Sequence, residues 1–435
     1  MGQPQERPDE IRALSRLAAA ELAGGADGIS SVHDAIARRV FDSLGTRVQP
    51  VRLAHDAIAR GVYASVRGAA TTAGHVADQT LGRREPGDGR PLSAAPRSAV
   101  ALAVVNGLIG DALEREGSDL HQPMGLRVRG RVVEPEPEAL AGAFPRATPR
   151  LVVFVHGLMG TEHAWRLGGG TRYGARLARD LGCTPLDVRY NSGRHISRNG
   201  RSFADLLEAT VAGWPVEVDQ IALVGHSMGG LVARSACRQA SEHGHDWVRR
   251  VRHVVSLGTP HMGAPLAQGV HYAAHALQAI PETRAFARFL RRRSAGIRDL
   301  RDGSLVDRDW EGSDPDALRA AACAEVPLLE GATHCFVAAT LTRSPNHPLG
   351  RLLGDALVLS PSASGRSRKR RIPFRAEHGM HLGGAHHLAL LNHPDVYAKL
   401  REWLAQPSSQ ALRPPSSLHS TGKKASSSSR SPGRR

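Results

Sequence analysis

The chain has 435 residues, 41% of them apolar and 23% charged. That balance excludes a wholly disordered or fibrous protein and allows more than one domain with a substantial core. Lys and Arg number 57 against 41 Asp and Glu, a net charge of +16, and aromatics are only 4%, so the core must rest on Leu, Val, Ile and Ala.

Residues 1–10 are polar and read as disordered. They contain no apolar stretch of the kind a secretory signal needs. Residues 11–120 read as a helical N-terminal region. Within it HDAIAR occurs twice, at 33–38 and 55–60. Ser31 and Asp34 suit a capping box before the first copy, and Pro50 separates the two. Residues 82–97, rich in Gly, Pro and Arg, read as a linker. Residues 98–115 predict a hydrophobic helix packed against another surface. The longest apolar run, 99–109, is too short to span a bilayer, and a cytoplasmic protein is expected.

From Leu126 the texture changes. Residues 126–133 alternate like a strand, and 151–155 form a continuous apolar run, as in a buried parallel strand. Further strands are expected at 185–190, 221–224, 251–256 and 333–341. Helical patterns lie at 171–181, 201–213, 228–241 and 394–404. This alternation predicts an α/β fold whose mainly parallel sheet is flanked by helices, over residues 126–405. Residues 264–330 interrupt it with helical, Arg-rich sequence. Residues 406–435 read as a disordered basic tail.

Five basic residues cluster at Arg366, Arg368, Lys369, Arg370 and Arg371. Six more lie in the tail, at Arg413, Lys423, Lys424, Arg430, Arg434 and Arg435. Such segments solvate the chain or hold it weakly at an anionic membrane surface, a peripheral association. No aromatic platform is interleaved, so no specific nucleic acid is expected as a partner. Four cysteines without a CxxC pair give neither a disulfide scaffold nor zinc-type spacing.

The strongest chemical signal is GHSMGG at 225–230, a G-x-S-x-G with an apolar strand before it and a helix after it. That is the context of a nucleophile elbow. Gly225 and Gly229 would relieve crowding in so tight a turn and leave the Ser227 hydroxyl projecting over a helix N-terminus. The second signal is HGLMG at 156–160, directly after a buried strand. A turn there, opened by Gly157, can present the Leu158 N–H towards the elbow. With the N–H of Met228 it would form an oxyanion hole. Leu158, Met159, Met228 and Met262 are candidates for an apolar mouth. SLGTPHMG at 256–263 would form a rim, with His261 structural.

A serine nucleophile needs a base, and the base an orienting acid. The chain order Ser, acid, His excludes every His before Ser227. Asp355 leads the acid candidates, with Asp302, Asp314 and Asp316 behind it in the insertion. His387 leads the bases, followed by His386, His381 and His393. The His226 side chain is expected to point away from the serine hydroxyl.

Taken together, HGLMG, GHSMGGLV, SLGTPHMGAP, GDALV and HHLALLNHPDVY resemble the lipase/esterase branch of the α/β-hydrolase superfamily. The nearest group is the bacterial lipase-like and GPI inositol-deacylase-like serine hydrolases. The resemblance implies Ser227 as nucleophile, Asp355 as acid, His387 as base, and oxyanion donors at Leu158 and Met228. It also implies a helical lid within 264–330. One departure is Ala356, where relatives often have Gly after the acid. The expected chemistry is cleavage of a small-molecule or lipid ester with no metal or organic cofactor. An acyltransferase would use the same residues, and a non-catalytic binding protein could keep the same fold.

Overall fold

A computed structural model of the chain describes residues 92–118, 120–264, 293–312, 323–344, 347–367 and 370–406. The expected disordered start, the two HDAIAR segments, most of the linker, the middle of the 264–330 insertion and the basic tail lie outside the described residues.

Among the described residues the sheet has eight strands. They are β1 Gly125–Val128, β2 Arg131–Val133, β3 Arg150–Val155, β4 Thr184–Arg189, β5 Gln220–His226, β6 Val251–Leu257, β7 Thr333–Thr340 and β8 Gly379–Gly383. Their order is β2-β1-β4-β3-β5-β6-β7-β8. β1 runs antiparallel to both of its neighbours, β2 and β4, and from β4 to β8 every pair is parallel.

The helices are α1 Pro96–Arg115, α2 Pro137–Ala143, α3 Tyr173–Leu181, α4 Ile196–Ala212, α5 Met228–His243, α6 Ala295–Asp302, α7 Pro348–Leu353, α8 Ser360–Ala363 and α9 Pro394–Ala405. Alternate residues of a strand face opposite sides of the sheet. On β3, Leu151, Val153 and Val155 join the core under α4 and α5. Val152 and Phe154 join the second core, under α3 and α9. Both faces are therefore covered, which is why these strands read as unbroken apolar runs.

Two local expectations need correction. Residues 126–133 are not one strand but a hairpin, β1–β2, folded at Arg129 (φ 52°) and Gly130 (φ 83°). Two consecutive left-handed residues match the twist of a two-residue hairpin turn, and the Val-Arg alternation hid that Gly. Strand β8 and helix α2 were also not anticipated. The described parts of the insertion include α6, and Leu300, Leu305 and Val326 pack into the core beside α5. Arg370, expected in an exposed basic run, is half-buried and engaged: its guanidinium donates to the His261 carbonyl at 2.7 Å and reaches Met262 Sδ. Among the described residues no helix is long and apolar enough to cross a membrane.

Candidate active site

Strand order creates the site. The chain passes from β3 to β4 on one side, then returns past β3 to β5 on the other. In parallel sheets such a reversal opens a crevice beyond the strands' carboxyl ends. The segment after β3 is HGLMG, and the residue after β5 is Ser227.

Ser227 has φ 53° and ψ −123°, a conformation rare for a residue with a side chain. The surroundings hold it there. Its N–H donates to the Leu257 carbonyl at 2.8 Å, and its own carbonyl accepts from Gly230 N–H at 3.1 Å. Close approach explains the glycines. A Cβ at Gly225 would lie 2.4 Å from Gly230 N, one at Gly229 would lie 2.2 Å from the Val155 carbonyl oxygen, and one at Gly157 would lie 3.0 Å from Ser227 Cβ. The turn carrying Leu158 therefore rests directly on the serine.

His387 opens a short 3-10 helix after β8, and Asp355 lies in the loop after α7. His387 Nδ1 stands 2.7 Å from Asp355 Oδ2. Asp355 Oδ1 accepts from the N–H groups of Leu357 (3.0 Å) and Val358 (2.8 Å). Both side chains are buried. The imidazole also packs on Gly258, where a Cβ would come within 3.1 Å of its Cε1 and Nδ1. Gly258 follows Leu257, whose carbonyl receives the Ser227 N–H, so base candidate and nucleophile candidate share one strand end. With Nδ1 given to a carboxylate, the lone pair of the imidazole lies on Nε2.

The other histidines have different surroundings. His386 is exposed. His381 Nε2 bonds the Thr340 hydroxyl at 2.9 Å, and His393 accepts the Asp395 N–H at 3.2 Å as a helix cap. His261 is fully buried against Arg234, which donates to its Nδ1 at 3.4 Å. Of the other acids, Asp302 pairs with Arg301, and Asp314 and Asp316 lie outside the described residues. His226 turns towards the His387 segment: its Nε2 donates to the His387 carbonyl at 3.2 Å, with ring centroids 4.7 Å apart. Burial, and next to it the His387 ring, hold His226 well below its ordinary pKa, so it is neutral.

His156 sets the shape of the HGLMG turn. The backbone N–H of Tyr190 donates to its Nε2 at 3.3 Å, so the ring proton must sit on Nδ1. That proton goes to the Gly157 carbonyl at 2.8 Å. The Tyr190 hydroxyl returns to the His156 carbonyl at 2.8 Å, and the two rings stack at 4.3 Å. Burial lowers the pKa of His156 to about 4, which preserves this neutral tautomer. The turn itself closes through Gly160 N–H to the Gly157 carbonyl, with Met159 left-handed at φ 56°. Met159 N–H donates to Ser192 Oγ at 2.9 Å.

The expected apolar mouth is different in detail. Met228 is fully buried, its methyl 3.2 Å from where a Cβ at Gly296 would stand. Met262 lies under Arg370, and Leu158 packs against the core. Tyr190 and Ser192 escaped the sequence reading. They are in no recognisable motif, and only the sheet brings them to the turn.

The model of the Alpha/beta hydrolase family matches residues 152–400. A search of curated proteins finds no match. Among solved structures, the propeptide form of Bacillus licheniformis lipase BlEst2 is 20% identical, with a TM-score of 0.39, covering 59% of this chain and 50% of that one. The chain thus spans half the length of that lipase chain. The mature form of the same lipase is 21% identical, with a TM-score of 0.37, covering 57% of this chain and 91% of that one. A Pyrobaculum calidifontis esterase is 15% identical, with a TM-score of 0.34, covering 60% of this chain and 75% of that one. The family match runs over more than half of the 435 residues, along the stretch that carries the strained serine, the Asp355–His387 pair and the parallel sheet, and the chain belongs to the Alpha/beta hydrolase family.

Proposed function

We propose that the protein is a serine hydrolase that cleaves carboxylic esters. The observation that carries this reading is the buried Asp355–His387 hydrogen bond beside the strained Ser227. His387 Nε2 takes the Ser227 proton as Oγ attacks the ester carbonyl. Asp355 keeps the tautomer and stabilises the imidazolium. The N–H groups of Leu158 and Met228 receive the developing oxyanion. The intermediate collapses, His387 protonates the leaving alcohol, and an acyl group remains on Ser227. Water then attacks that acyl group with His387 as base, and the acid departs. Each step uses side chains and backbone of this chain.

Turnover of p-nitrophenyl esters of short, medium and long acyl chains tests the reading, with Ser227→Ala as the control. Turnover that falls by several orders of magnitude in Ser227→Ala supports it. Turnover retained in Ser227→Ala, or none in the wild type with or without lipid vesicles, would overturn it.

A further inference from the structure

Helix α1, Pro96–Arg115, lies outside the segment matched by the family model, yet it touches the turn that rests on Ser227. Gly107 is buried in α1, and a Cβ there would lie 2.4 Å from Met159 Cγ and 3.3 Å from Met159 Cα and Cβ. Met159 occupies a left-handed conformation that costs a non-glycine residue on the order of 1–2 kcal/mol. Something must hold it there, and two contacts do. Its N–H is bound by Ser192, and its side chain is seated on the bare backbone of Gly107.

The seat is itself fixed. The Gly107 carbonyl accepts from Ser294 Oγ at 2.6 Å. Three residues on, the Gly110 carbonyl accepts from Asn191 Nδ2 at 2.8 Å. Asp111 Oδ2 receives the Ala295 N–H at 3.0 Å, and Glu114 pairs with Arg194 at 2.8 Å. Ile109, with φ −133°, breaks the helix between the two glycines. The helix is thus anchored to α6 and to the segment after β4 at the point where Met159 rests and over the two turns that follow it.

We propose that Gly107 is a positioning residue for the reaction. It seats Met159 and so holds the Leu158 N–H over the nucleophile. The role of Gly107 in turnover rests on the hydrolase reading, whereas its contact with Met159 does not. A side chain at 107 displaces Met159 and carries Leu158 with it, and a shift of about 1 Å in such a group can cost about 100-fold in rate.

The test uses the full chain with Gly107→Ala, Met159→Gly and the double variant. Glycine at 159 accepts the left-handed backbone and removes the clashing atoms. The expected result for Gly107→Ala is a kcat lower by about 10- to 100-fold, with KM within about threefold and an unchanged circular dichroism spectrum. The double variant is expected to regain most of the lost kcat. In parallel, methionine labelled with ¹³C at its methyl gives few signals, because the chain has six methionines. The Met159 signal, assigned by its loss in Met159→Gly, is expected to shift in Gly107→Ala. An unshifted Met159 signal would overturn the seat. An unchanged kcat in Gly107→Ala, or no recovery in the double variant, would overturn its role in catalysis. A wild type that turns over no ester would count against the hydrolase reading, and the methyl signal would still decide the seat.

Discussion

Asp355 and His387 are joined twice. The carboxylate faces the imidazole Nδ1 at 2.7 Å, and the His387 backbone N–H donates to the Asp355 carbonyl at 3.0 Å. The two loops that carry them are therefore in register before any side chain acts. The second carboxylate oxygen is occupied by two backbone N–H groups, so Asp355 has little freedom to rotate away.

From this follows the first prediction. Asp355→Asn keeps the shape but can offer Nδ1 an N–H, which favours the wrong imidazole tautomer. A kcat loss on the order of 10⁴-fold is expected, with the melting temperature little changed. His387→Ala should lose at least as much and His386→Ala almost nothing. Steady-state kinetics of the three variants on one ester check this, and equal losses at His386 and His387 would contradict the assignment.

Acid should unfold the protein early. Burial pushes His156 and His253 down to about 4 and His334 to about 3. In the unfolded chain a histidine titrates near 6.5. Below that pH the unfolded state takes up protons that the folded state refuses, so stability is full above about 6.5 and falls as pH drops towards 4. Each of the three contributes about 2 kcal/mol of loss by pH 5. Urea midpoints at pH 8 and pH 5 measure it, and equal midpoints would refute it.

A buried ion pair ties the segment after the HGLMG turn to the sheet. Arg189, fully buried at the end of β4, donates Nε to Glu162 Oε2 at 2.8 Å, Nη2 to Glu162 Oε1, and Nη1 to the Ser93 carbonyl at 2.6 Å. Burial pushes the Glu162 carboxyl up, but the bonds and charge of Arg189 outweigh it and hold the pKa below the ordinary range. Glu162→Ala leaves a buried guanidinium unpaired and should cost about 3–5 kcal/mol. Replacing both partners by Met should recover most of that loss. Chemical denaturation of single and double variants checks the ordering.

Ala356 follows the acid at φ 86°, a conformation that favours glycine. Ala356→Gly should stabilise the fold by up to about 1 kcal/mol and leave kcat unchanged. A lower melting temperature in this variant would contradict the strain.

Much of the site was legible because its signals are local. The elbow needs glycines at fixed offsets around Ser227, and chain order narrows the base and acid to few residues. The departure at Ala356 from the resembled motif falls on a residue whose φ of 86° favours glycine. What escaped depends on contacts between distant segments. Strand β8, GMHLG, is short and glycine-bounded, and its pairing with β7 alone makes it a strand. Met228 looked like a mouth residue, but its burial is set by Gly296, 68 positions away. The hydrophobic character of α1 was visible, whereas the seat it gives Met159 at Gly107 depends on the fold of the whole domain.

The most direct test of the central claim is to react the full chain with an alkyl fluorophosphonate, digest it and locate the added mass. The expected result is one phosphonyl group on the peptide carrying Ser227, absent in Ser227→Ala and slowed by orders of magnitude in His387→Ala. Labelling at another residue, or labelling that persists in Ser227→Ala, would contradict the claim that Ser227 is the nucleophile.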